Sequence, residues 1–247
     1  MRKLTRILHA ELAKLISLPS VWLTLIGTFI LNLGMIAAYV SLGLKEPGGS
    51  INILNLGISS MGYLQVGFMI LGILAASSEY NGGQIRTTLA AMPWRGLQFT
   101  TKHIALAIIT IPAAFLMVAS SLLYTWIRVR EGAAGFEIDA MIEVLAGATG
   151  YLTLSTLLSA AIGALLRRTT PALVILLGYD FIISPLLRNS QFKSKNVLPD
   201  AAGSYMYRVP SPEELNALTP LQGTGVFLIW ILVFVVVALV VYRKLDA

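Results

Sequence analysis

Three features of the chain point to an all-α integral membrane protein, with six transmembrane helices and an N-terminal interfacial amphipathic helix. Its 247 residues are 56% hydrophobic and only 12% charged, where soluble domains average about 25% charged. That leaves too little polar surface to cover a water-soluble particle. Six apolar stretches each approach the roughly 20 residues needed to cross a bilayer core. The first eighteen residues sort their apolar and basic side chains onto opposite helical faces.

Residues 1–18 come first. On a helical wheel Leu4, Ile7, Leu8, Leu12, Leu15 and Ile16 share one face, and Arg2, Lys3, Arg6 and Lys14 lie opposite. Such a helix is too short and too charged to span, and is expected to lie in the membrane interface. Pro19 breaks it before the first span. Glu11 falls within the apolar face, where it is expected to snorkel, to pair with a neighbouring Arg, or to contact a partner subunit.

The spans are predicted at about 20–42, 56–78, 103–127, 144–166, 171–187 and 223–242. Irregular backbone cannot face lipid, so these stretches are helices. The unbroken run from Phe227 to Tyr242 lacks the alternation of a membrane β-strand. The fifth stretch is short and is expected to tilt little or to end in a break. No internal repeat stands out, and 1–247 reads as a single transmembrane domain.

Six spans place both termini on one side. Arg2, Lys3, Arg6, Lys14, Arg86, Arg95, Lys102, Arg167, Arg168, Arg243 and Lys244 share that side. Lys45, Arg128, Arg130, Arg188, Lys193, Lys195 and Arg208 lie on the other. The richer side is expected to be cytoplasmic. The net charge of +6 sits mostly beside apolar runs, which favours anionic lipid headgroups as the partner and not nucleic acid. No small-residue cleavage site follows a short apolar core, so no removable signal peptide is expected.

Two connections carry more information than the rest. The cytoplasmic loop 79–102 opens with Glu79, and Gly82 and Gly83 permit a sharp turn. Ile85, Leu89 and Met92 then recur at helical spacing, before Pro93 and Trp94. The loop reads either as an ordinary interfacial connector or as a short helix offered to a cytosolic protein. On the other side, 188–222 is too long for a simple connector. Within it Ser211, Pro212, Glu213 and Glu214 open a possible surface helix.

Catalytic chemistry is hard to find. There is no phosphate-binding Gly-rich loop and no His-Glu-x-x-His. The histidines, His9 and His103, are far apart, and no metal site is expected. The absence of cysteine excludes disulfides and thiolate sites. Ser120, Ser121 and Ser155 lie inside spans, where small hydroxyl residues ordinarily serve helix contacts. Asp180 is the exception, near the middle of the fifth span. An intramembrane carboxylate is costly and is expected to face protein or a wet cavity. A Tyr-Asp pair is half of an intramembrane aspartyl protease site, but the second half, Gly-x-Gly-Asp, is missing. Asn32 and Gln65, also at span depth, are the candidate polar partners.

Two stretches together resemble the membrane subunits of ABC transporters of the ABC-2 type permease family. One is Glu11, Leu12, Ala13, Lys14 and Leu15, followed by Trp22. The other runs from Glu79 and Tyr80 through Gly83, Ile85, Arg86 and Leu89, followed by Pro93, Arg95 and Lys102. Their order, with six spans and a long outer segment, covers the chain.

The resemblance implies that 1–18, with Glu11 and Lys14, is a connecting helix, and that about 82–92 is a coupling helix. Glu79, Gly82, Gly83, Ile85, Arg86, Leu89 and Met92 would dock on a separate cytosolic ATPase that binds ATP and Mg. Residues 188–222 would form outer re-entrant or surface helices. A second permease subunit, a copy or a paralogue, would face this one across a substrate path holding Asp180, Gln65 and Asn32. Asn81 and Gln84 depart from the family pattern, which often has a basic residue and Thr there. The implied role is a bacterial plasma-membrane export subunit with no catalysis of its own. Its cargo would be an amphipathic or hydrophobic drug, peptide antibiotic or lipid, as in antibiotic resistance or self-protection. The alternative is a sensor or immunity module that binds a membrane-active peptide without moving it.

Overall fold

The computed structural model describes residues 2–42, 53–81, 94–129, 138–189, 195–208 and 218–244. Within them every regular element is helical. The chain runs through α1 (Arg2–Ser17), α2 (Pro19–Ser41), α3 (Ile53–Gly57), α4 (Met61–Asn81), α5 (Arg95–Val129) and α6 (Ile138–Leu166). It continues through α7 (Thr169–Gly178), a π turn (Tyr179–Ile183) and α8 (Ser184–Asn189). A 3-10 turn (Lys195–Val197), α9 (Pro199–Ser204) and α10 (Pro220–Lys244) complete it. Six helical stretches are long and apolar enough to cross a bilayer, in the predicted order.

The ends of the spans differ from the reading of hydropathy. α5 begins at Arg95 and not near 103, and α6 begins at Ile138 and not near 144. The predicted 79–102 loop is therefore shorter, since α4 runs through Asn81 and 95–102 is helical. A helix continues past the apolar slab wherever its own hydrogen bonds satisfy the backbone. Apolarity measures only the slab. Pro19 acts as expected: Leu18 is extended ahead of it, and α2 starts at the proline. The Trp22 indole donates back across this corner to the Ile16 carbonyl at 2.7 Å.

The centre of the molecule is the parallel pairing of α4 with α6. Along their spanning windows 67% and 61% of residues are buried, against 17% for both Thr169–Arg188 and α10. Lipid offers helices no hydrophobic incentive to associate, so close backbone approach through small residues must supply the contact. Gly72 provides it: a Cβ there would lie 2.3 Å from the Thr156 carbonyl oxygen. Ala75, Ala76, Ala160 and Ala161 are buried nearby. α1 lies against this centre, with Leu8, Leu12 and Leu15 packed against a cluster that includes Leu71, Ala75 and Leu106. Glu11 is 3% exposed on that helix, so it is enclosed by protein and does not snorkel.

The segment after α8 turns back into the helices. α9 buries Asp200, Ala201, Ala202 and Gly203, and it lies against α10 and α6. Here too the approach depends on missing side chains. A Cβ on Gly147 would lie 1.7 Å from the Met206 carbonyl oxygen, and one on Gly203 would lie 2.3 Å from the Tyr151 ring. This part of 188–222 therefore packs closely against other helices of the chain. The helix expected from Ser211 lies outside the described residues.

Candidate functional site

The site begins with the π turn. Within it the Ser184 N–H bonds to the Tyr179 carbonyl, a step of five residues where an α-helix takes four. That wide step sets Ser184 over Tyr179, and an ordinary turn then sets Arg188 over Ser184. All three side chains meet one carboxylate, Asp200 on α9. The Tyr179 hydroxyl donates to Asp200 Oδ1 at 2.8 Å, and Arg188 Nη2 donates to Oδ2 at 2.7 Å. The Ser184 hydroxyl donates to Oδ2 as well. The Asp200 charge is thus matched by a guanidinium and two hydroxyls. Arg188 is 40% exposed and Asp200 9%, so the pair is anchored at its acidic end.

Asp180 lies one residue along the same turn and points to a different partner. Gln65 on α4 donates to its Oδ1 at 2.9 Å. Gln65 is buried and Asp180 is half-buried. Among the described residues Gln65 is the hydrogen-bond donor to this carboxylate.

Two cavities flank these groups. The first, about 360 Å³, is bounded by Gln65, Asp180, Arg188 and Asp200, with Tyr151 and Tyr207 completing its wall. Burial pushes the Tyr207 phenol up to about 12, so this hydroxyl stays neutral at ordinary pH. The second, about 370 Å³, lies between α7 and α10 over the face of α6. Its walls are Leu158 and Ile162 below, Ile175 and Leu176 on one side, and Phe227 and Trp230 on the other. Both volumes lie in the range of small-molecule sites. Gln65, Tyr151 and Asp200 border both.

The predicted site residues fall in three places. Asp180 and Gln65 meet, as expected of polar groups at span depth. Asn32 does not join them. Its amide donates to Ser121 Oγ at 2.7 Å and to the Met117 carbonyl at 3.2 Å, and its oxygen accepts from Ser60 Oγ at 2.7 Å. It is fully buried and ties α2 to α5 and to the turn before α4. Of the docking residues, Gly82, Gly83, Ile85, Arg86, Leu89 and Met92 lie outside the described residues, and Glu79 falls in the last turn of α4. Lys14 is in the last turn of α1, where its carbonyl accepts from Ser17 Oγ at 2.9 Å.

Asp200, Tyr179, Ser184 and Arg188 were not marked by their sequence pattern. Asp200 follows a proline in a long polar connection, a common place for an exposed acid. Only the close packing of α9 makes it a core residue. Among the described residues no three His, Cys, Asp or Glu side chains come together as a metal site. The chain matches no family model and no curated protein sequence.

Proposed function

We propose that the chain is the membrane-spanning permease subunit of an ABC exporter. It works with a second permease subunit and a cytosolic ATPase that binds ATP and Mg, in a bacterial plasma membrane with both termini cytoplasmic. The observation that carries this reading is the Gln65–Asp180 pair at span depth, bordering a polar cavity that adjoins an apolar one. A half-buried carboxylate in an apolar helix costs at least about 2.5–3.5 kcal/mol by insertion scales. A structural role alone would be met more cheaply by the neutral amide clamp that the chain already uses at Asn32.

Two further features support the reading. The two resembling stretches flank the ends of the first and second spans, where a cytosolic motor would pull. The stretch Thr169–Arg188 is only 17% buried within one chain, with Val174, Phe181, Ile182 and Leu186 exposed. Such a face suits lipid and a facing subunit. α1, in the interface, would carry motor movement to the centre through Leu15 and Leu71.

The sensor or immunity reading draws support from the Asp200 clamp. Four side chains hold the α9 segment across one end of the cavities, which suits retention of a ligand. The two readings separate on purification of the tagged chain with its membrane partners into sealed vesicles. Export predicts ATP hydrolysis stimulated by cargo, with net movement of cargo across the vesicle wall. Binding without movement favours the sensor. An assembly with no ATPase activity rules out the exporter.

A further inference from the structure

We infer that the two cavities form one bipartite binding site for a single-chain amphiphile with a monocationic, ammonium-type head. The head sits at Asp180 and the chain runs along the α7–α10 crevice. The inference deepens the substrate-path reading above and rests on it.

The argument is one of charge and continuity. The polar cavity is bordered by two carboxylates and one cation, Arg188. Arg188 is committed to Asp200, which also receives two hydroxyls. Among the described residues Asp180 is left with one neutral donor, although a carboxylate accepts several hydrogen bonds. A cationic head supplies both the missing charge and the missing donors. An anionic head meets two acids and a guanidinium already in use. A phosphate-bearing zwitterion meets the same repulsion.

The tail follows from the second cavity. Its walls are mostly aliphatic and aromatic, and it shares Gln65, Tyr151 and Asp200 with the polar cavity. A small inorganic cation would leave this crevice empty, and a wholly apolar ligand would leave Asp180 unmatched. Trp230 fixes one wall, since its indole is held to the Val197 carbonyl at 2.8 Å. The crevice therefore has a built-in optical reporter.

The test uses the full chain in phosphatidylcholine nanodiscs, without any ATPase. Dodecyl-chain probes brominated near the tail quench nearby indoles, and subtraction of Trp230→Phe protein isolates the Trp230 signal. A primary-ammonium probe is expected to saturate Trp230 quenching at a concentration about tenfold lower than a neutral maltoside probe, the worth of one charge-assisted hydrogen bond or ion pair. Asp180→Asn should erase that preference and Asp180→Glu should keep it. In the native protein, unbrominated dodecylamine should reverse the quenching, while dodecyl sulfate and tailless tetramethylammonium should not. Equal saturation by both probes, a preference that survives Asp180→Asn, or equal displacement by the sulfate would overturn the inference. Because no ATPase is present, a failure here leaves ATPase coupling to be judged by its own experiment.

Discussion

Asn32 and Asp180 are both polar residues deep in apolar helices, and they do opposite things. The Asn32 amide offers two donors and one acceptor, and all are used by neighbours on other elements. Asp180 is met by one amide and borders open volume. The difference was not legible in the sequence, where each is simply a polar residue at span depth. Which neighbours arrive depends on helix rotation, and rotation is set by packing. Asn32→Leu should leave the Ser60 and Ser121 hydroxyls and the Met117 carbonyl without this partner. We expect a loss of roughly 1–2 kcal/mol, the upper part of the range for interhelical hydrogen bonds in membranes. Thermal unfolding of the purified chain should show it as a lower midpoint, while Asp180→Asn should leave the midpoint nearly unchanged. A midpoint unmoved by Asn32→Leu would mean the clamp contributes nothing to stability.

Helices cross this molecule where the apolar runs say they must. The six spans were legible because bilayer thickness imposes a length that soluble folds do not. Their ends were not, since α5 and α6 carry Lys102, Asp139 and Glu143 on helical turns beyond the apolar runs. The fifth span, expected to tilt little or to end in a break, instead runs as one helical stretch from Thr169 to Arg188 that widens into a π turn at Tyr179–Ile183. A π turn holds one residue more than the α-helix around it. Inserting one alanine after exposed Ile182 should therefore put Ser184 six residues from Tyr179 and rotate Ser184 and Arg188 away from it. The Asp200 clamp should then open. A cysteine at Ser204 is expected to react faster with a water-soluble maleimide in the insertion variant than in the native register. Equal rates in both would show that the π turn does not set the clamp.

The proposed assembly needs a direction and a source of work. The proposed orientation, taken from the count of basic residues, has the termini and 79–102 in the cytoplasm and 188–222 outside. Because the chain lacks cysteine, single cysteines report sidedness cleanly. In intact cells Ser204→Cys should label with an impermeant reagent and Thr87→Cys should be protected. The reverse pattern would invert the protein in the membrane.

In the proposed exporter the work enters by contact with the ATPase, and Ile85 and Leu89 are the proposed anchors. Buried anchors at the centre of a protein interface are worth roughly 1–3 kcal/mol each. The decisive measurement is ATP hydrolysis by the assembly purified through a tag on this chain. Native chain is predicted to retain a hydrolysing partner. The Ile85→Asp, Leu89→Asp double variant is predicted to keep its helical content and to lose that partner and its activity together. A double variant that co-purifies with full ATPase activity, or a native chain that brings down none, would contradict the account.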